Sequence, residues 1–237
     1  MHTAATPVDT AALLGPVLPA GEPELRAIAV NALFGAFGRE GTSEALGNDT
    51  DAALIRELRG WADVILVGAG TVEAEDYGPA DTPMAVLSTS LDLDPGLGIF
   101  HGARLIVLTP EQSLTDDSLA ANRTALEAAG AELVSSFGGT IREAVEALRR
   151  EGYARILCEG GPGVYADVFA ADLVDVLHLT IDPSLSPADA PSGLELDGPA
   201  DGVARFAFED VTVEHNAMMF CRLRRVADVG TRVPRYG

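Results

Sequence analysis

The sequence predicts an α/β domain whose mostly parallel sheet closes on an antiparallel C-terminal hairpin. Three observations predict it. Short, fully apolar runs such as DVILV at 63–67 have the composition of strands covered on both faces. Segments of helical periodicity alternate with these runs along the chain. The last two runs, 205–213 and 218–226, alternate polar with apolar residues, the pattern of an antiparallel pair.

Each element can be justified in turn. Residues 1–24 carry Pro7, Pro16, Pro19 and Pro23 and read as an irregular lead-in. RAIAVNAL at 26–33 is the first strand, and the glycine-rich stretch 34–47 is a loop. Asn48 or Asp49 can cap a helix over 51–61, because a side-chain oxygen there accepts from free backbone N–H groups. That helix puts Leu54, Ile55 and Leu58 on one face. After the strand 63–67 come GAGT and a helical turn ended by Gly78-Pro79. Strands are expected at 84–87, 105–108, 132–135 and 155–158, with helices over 118–129 and 140–150. A helix at 164–170 leads to a strand at 176–181. The stretch 182–202, rich in Pro, Ala, Asp and Gly, is a linker, and 227–237 is a tail, which leaves one domain over 25–226.

Composition removes several function classes. With 237 residues, 47% hydrophobic and 5% aromatic, the chain can bury one core filled by aliphatic side chains. A net charge of −20 opposes nucleic-acid backbones and anionic membranes, so neither is an expected partner. All 16 basic residues are arginine, and without lysine there is neither a Schiff-base amine nor a GKS/GKT phosphate loop. Cys158 and Cys221, each inside an apolar run, read as reduced core residues of a cytoplasmic protein. His2, His101, His178 and His215 lack ligand spacing, so no metal site is expected. No apolar run approaches the roughly 18 residues of a membrane span, and MHTAATPVDT lacks the basic-then-apolar order of a secretory signal.

The chemistry is concentrated in two glycine-rich turns. Gly68-Ala69-Gly70-Thr71 follows DVILV, and Gly160-Gly161-Pro162-Gly163, with Val164 behind it, follows RILCE. Ligands of open α/β sheets bind beyond the carboxyl ends of strands. Missing Cβ atoms allow close approach of a ligand, and N–H groups at a helix start attract anions. For so acidic a chain, such neutral dipoles are a suitable way to hold a phosphorylated cofactor. Ser88 and Thr89 stand where a Rossmann strand would carry an acidic residue, so their hydroxyls favour a 2′-phosphate and NADPH over NADH; Asp92 nearby counts the other way.

LRGWADVILVGAGTVEAEDYGP (58–79) and ILCEGGPGVYADVFAADLVDVLHLTIDP (156–183) resemble the pyrimidine reductases of riboflavin biosynthesis over roughly 25–226. The resemblance implies a three-layer, dihydrofolate-reductase-like fold, NADPH, a homodimer, and hydride delivery to the imine carbon of an opened ribose. It places Gly68, Ala69, Gly70, Thr71, Gly160, Gly161, Pro162, Gly163 and Val164 on the cofactor. Asn31 and Glu159 match substrate-facing positions and are the candidate catalytic residues. Glu159 can orient a pyrimidine, relay a proton or cap the following helix; Asn31 can bond a heterocycle or satisfy a strand end. Arg39 and Arg59 are the basic residues best placed to neutralise a substrate phosphate, although an arginine on a helix, as Arg59 is, more often forms a surface ion pair. Thr71 can bind cofactor or cap its helix.

Two departures set this chain apart. The family's first loop reads Ser/Thr-x-Asp-Gly-Lys/Arg, whereas here it is Gly35-Ala36-Phe37-Gly38-Arg39. Phe37 makes the substrate pocket more apolar. Glu75-Asp76-Tyr77 stands where Asp-Asp/Asn-Pro is common. A small heterocycle is the expected substrate, with a dihydrofolate-like pteridine as the alternative. A non-catalytic nucleotide-binding homologue is the reading from another class.

Overall fold

The computed structural model describes residues 8–36, 46–185, 205–215 and 218–226. One nine-stranded sheet runs through it, in the order β5-β4-β3-β2-β6-β1-β7-β9-β8. Strands β1 (Glu24–Ala32), β2 (Val64–Gly68), β3 (Met84–Leu87), β4 (Leu105–Thr109), β5 (Glu132–Ser135), β6 (Arg155–Gly160) and β7 (Val176–Asp182) are parallel. The hairpin of β8 (Phe206–Val213) and β9 (Met219–Arg225) adds the antiparallel edge through β9. Strands β2, β4 and most of β6 are buried on both faces, which is why they read as unbroken apolar runs.

Helices cover both faces and give three layers. On one side α1 (Thr10–Leu14), α2 (Asp49–Trp61), α3 (Ala69–Ala74) and α5 (Ala120–Ala128) contribute Leu13, Leu54, Leu58, Trp61, Val72 and Leu126 to a core. On the other, α6 (Ile141–Arg150) and α7 (Pro162–Ala170) pack Val145, Leu148, Tyr165 and Val168 against the sheet. The short α4 (Glu111–Thr115) follows β4.

Several boundaries differ from the sequence expectation. The lead-in holds a capped helix, α1, whose N-cap Asp9 accepts from the Ala11 and Ala12 N–H groups. Asn48, not Asp49, caps α2, accepting from the Asp51 N–H at 3.0 Å. Helix α3 begins inside GAGT, at Ala69, because the chain leaves β2 without an intervening loop. The tail 227–237 and most of the linker lie outside the described residues.

The order of connections fixes where a ligand can enter. After β2 the chain passes through α3 on one face towards β3; after β6 it passes through α7 on the opposite face towards β7. Strands β2 and β6 are neighbours, so their carboxyl ends flank a topological switch point.

Candidate active site

A cavity of about 700 Å³ opens at that switch point. Gly68, Gly70 and Thr71 line it from the end of β2 and from α3; Glu159, Gly161, Pro162, Gly163 and Val164 line it from β6 and α7. Arg59, Ile55 and Asp51 enter from α2, and Ile28, Ala29 and Val30 form part of the wall from β1.

The two turns are in direct contact. The Gly161 N–H donates to Thr71 Oγ1 at 3.0 Å. A Cβ on Gly161 would stand 2.2 Å from that oxygen, and one on Gly68 would stand 3.0 Å from Val164 Cγ2. Gly160 has a φ of +78°, and a Cβ there would meet the Tyr165 ring at 2.2 Å. These three positions leave no room for side chains, so backbone is what the turns offer to a ligand.

A register irregularity aims Glu159 into the cavity. Leu66 pairs with Cys158, but Val67 pairs with Gly160, so Glu159 is an extra residue in the β6 ladder. Its carboxylate is 5% exposed and fully engaged. Arg59 Nε donates to Oε1 at 2.7 Å, Arg59 Nη2 to Oε2 at 2.7 Å, and the Tyr77 hydroxyl to Oε2 at 2.8 Å. The paired, hydrogen-bonded geometry is that of a strong fork. The Arg59 guanidinium lies 5.3 Å from the centre of the Tyr77 ring. Hydrogen bonding to Glu159 pushes the Arg59 pKa up, and burial followed by the Glu159 charge pushes the Tyr77 hydroxyl well up. Glu159 therefore does not cap α7, and Arg59 is not a surface ion-pair former.

The remaining sequence candidates divide. Ala69 and Gly160 belong to the turns but do not line the cavity. Ser88 is buried, and its hydroxyl accepts from the Leu91 N–H at 3.0 Å; Thr89 is exposed beyond β3. Asn31 lies near the end of β1, paired in register with Ile181, and its Oδ1 is buried without a partner among the described residues. Phe37 and Arg39 lie outside the described residues.

Sequence reasoning missed Tyr77 and Asp51 as site residues. Tyr77 was visible only as a departure from a family pattern. Asp51 was hidden in a first turn rich in acidic residues, where a helix start alone accounts for carboxylates. In the structure Asp51 is 5% exposed and accepts from the Thr180 hydroxyl at 2.5 Å, and burial raises its pKa.

The fold that carries this site is shared with known proteins. The model of the RibD C-terminal domain matches residues 35–217. A pyrimidine reductase-like protein from Corynebacterium diphtheriae superposes with a TM-score of 0.80 at 29% identity, over 93% of this chain and 100% of that one. A Thermotoga maritima diaminohydroxyphosphoribosylaminopyrimidine deaminase/5-amino-6-(5-phosphoribosylamino)uracil reductase gives 0.69 at 16% identity, over 86% of this chain and 57% of that one. An Enterococcus faecalis dihydrofolate reductase complexed with NADP(H) gives 0.52 at 16% identity, over 85% and 96%. The last two show the shared dihydrofolate-reductase-like fold. A comparison with curated protein sequences found no match. The chain belongs to the RibD C-terminal domain family.

Proposed function

We propose that this protein is an NADPH-dependent reductase of a small heterocycle, acting on 5-amino-6-(5-phosphoribosylamino)uracil or a close analogue. The observation that carries the reading is the contact between the two glycine turns at the ends of β2 and β6, beside an anchored carboxylate. A dinucleotide fits this cradle chemically, because Gly68, Gly70, Gly161 and Gly163 present backbone and α7 points its N-terminus at the cavity. Arg59 is the one basic residue lining the cavity among the described residues, and Glu159 occupies its fork. Phosphate oxygens would therefore be held by backbone dipoles rather than by side-chain cations. Thr71, Pro162 and Val164 complete that wall, and Thr89, exposed beyond β3 and outside the cavity lining, is the proposed contact for the 2′-phosphate. Bound there, the dinucleotide supplies a hydride.

The chain's own residues supply position. Glu159, immobilised by Arg59 and Tyr77, offers a fixed negative edge against which N–H groups of a uracil can align, and alignment is a large part of catalysis in such a reduction. Asn31, next to the cavity wall at Val30 and with no partner for Oδ1 among the described residues, is the proposed second contact.

The same reading includes a homodimer. Leu177, Leu179 and Ile181 of β7 pair with Leu223, Cys221 and Met219 of β9, which in turn pair with Phe208, Val211 and Val213 of β8. Cross-strand partners share a face, so the sheet edge carries an apolar band that ends in exposed Phe208, Val211 and Val213. Light scattering should give twice the chain mass, and Val211→Arg should give the monomer.

The activity test follows NADPH through its own fluorescence and absorbance. Trp61 is buried on Arg26 and does not line the cavity, which makes it a poor reporter. Saturable NADPH binding, followed by oxidation on adding the phosphoribosylaminouracil, is the expected result. Absence of binding removes the reductase reading, and turnover with dihydrofolate alone moves the substrate to a pteridine.

A further inference from the structure

Four carboxyl residues line the cavity, and the two buried ones, Glu159 and Asp51, differ in their surroundings. Both Glu159 oxygens are taken, by the Arg59 fork and the Tyr77 hydroxyl. A carboxylate clamped in this way has both oxygens occupied by donors and little freedom to move towards a reacting atom. Asp51 has one oxygen in use: the Thr180 hydroxyl donates to Oδ1. No donor among the described residues reaches Oδ2, and the residue lines the cavity at 5% exposure.

Among the described residues, the groups around Asp51 include no cation paired with it. Thr180 faces it from β7. Tyr165 approaches from α7, its hydroxyl donating to the Ile28 carbonyl of β1. On its own helix, the Asn48 and Thr50 side chains both donate to Glu214, and Arg59 is turned to Glu159. Glu75 and Asp76 lie along the same cavity. Burial is the main influence and favours the neutral acid; the Thr180 bond and the first-turn position on α2 favour the anion and moderate it.

We propose that Asp51, poised by Thr180, is the proton-handling residue of the site, while Glu159 is a fixed electrostatic anchor. The inference rests on the reductase reading. In the reduction a hydride from the reduced nicotinamide forms the new C–H bond at the imine carbon. The C=N π pair moves onto nitrogen, and nitrogen takes the proton from the Asp51 carboxyl, directly or through one water. The nicotinamide is left oxidised, and the Asp51 carboxylate regains a proton from solvent. Positioned acids of this kind contribute about 10²–10⁴-fold.

The test combines two readouts. Infrared titration of the protein alone should show a protonated-carboxyl band that persists above the ordinary aspartate range and is missing in Asp51→Asn. With NADPH and the phosphoribosylaminouracil, kcat should fall as pH rises through the same midpoint. Asp51→Asn should lower kcat about 100-fold while NADPH affinity, read by its fluorescence, stays unchanged. Thr180→Val removes a bond that favours the anion, so both the band and the kinetic limb should move to higher pH, a shift that mere loosening of the fold would not produce. An unaltered pH profile in Asp51→Asn, or a band that survives the substitution, overturns the proposal. A wild-type protein that turns over neither heterocycle removes the reductase reading and the hydride step with it. A Thr180-dependent band would still identify Asp51 as the proton-holding group of the cavity.

Discussion

Two arginine–carboxylate pairs lie at opposite ends of the parallel strands, and both stack on an aromatic ring. At the carboxyl end, Arg59 holds Glu159 and lies over Tyr77. At the amino end, Arg26 holds Glu24, 2.8 Å away, and lies 4.4 Å from the Trp61 ring centre. Both arginines are met by α2, whose last turns carry Arg59 and Trp61. The pairs differ in what closes over them. Arg26 is 0% exposed, and its remaining N–H groups donate to the Leu14 and Pro16 carbonyls, so the lead-in seals the pair. Arg59 is 32% exposed, towards the cavity. Burial pushes the Arg26 pKa down, whereas hydrogen bonding to Glu159 pushes that of Arg59 up. The sealed pair fixes the lead-in to the sheet, and the open pair faces the cavity. The same two residue types thus seal the fold or line a cavity according to which end of the strands they occupy.

The sharpest way to break this contrast is Arg26→Met. It strands Glu24 beside only the partly exposed Arg224, and should lower the free energy of unfolding in urea by about 3 kcal/mol while leaving NADPH affinity unchanged. At the other end, Glu159→Gln should reduce kcat about 100-fold by releasing Arg59 and Tyr77, with about 1 kcal/mol or less of stability lost because Arg59 is already part-solvated. Parallel denaturation and kinetics on the two variants would reverse the contrast if the open pair proved to be the structural one. Gly161→Ala should raise the NADPH Kd about tenfold, a 1.4 kcal/mol effect, since its Cβ would intrude on Thr71 Oγ1; fluorescence titration checks it.

At neutral pH the smallest effect is on the sealed side, a stability slope that sets in only on acidification. His178 is buried, and burial, then the Arg26 and Arg222 charges, lowers its pKa from 6.5 to about 3. The folded state therefore binds a proton less readily than the unfolded chain. This histidine's contribution is intact above pH 6.5 and is lost as pH falls from there towards 3, at up to about 1.4 kcal/mol per pH unit. The difference in unfolding free energy between wild type and His178→Gln, measured across that window, should show this slope.

Much of the fold was legible because its signals are local. The runs at 63–67 and 105–108 could only be doubly covered strands, and the alternation at 205–213 could only be an edge. The glycine turns were legible for the same reason, since each follows an apolar run directly. What escaped was long-range. Nothing near Asp51 in the chain announces Thr180, and nothing near Glu24 announces that α1 will cover it. Arg59 read as a phosphate-neutralising candidate or a surface ion-pair former, because its partner lies 100 residues away. Glu159 was found as a site residue, but its orientation was not, because the irregularity that turns it is a property of pairing between β2 and β6.

That irregularity has a consequence for how the family member can vary. Side chains alternate along a strand with a period of two, so one additional residue between Cys158 and Gly160 inverts the phase of everything that follows. Deleting a single position there would swing the chain entering α7 through half a turn and carry Tyr165 away from the Ile28 carbonyl. Chain length in this segment is thus more tightly held than identity: substitutions retune the pocket, whereas an insertion or deletion dismantles it.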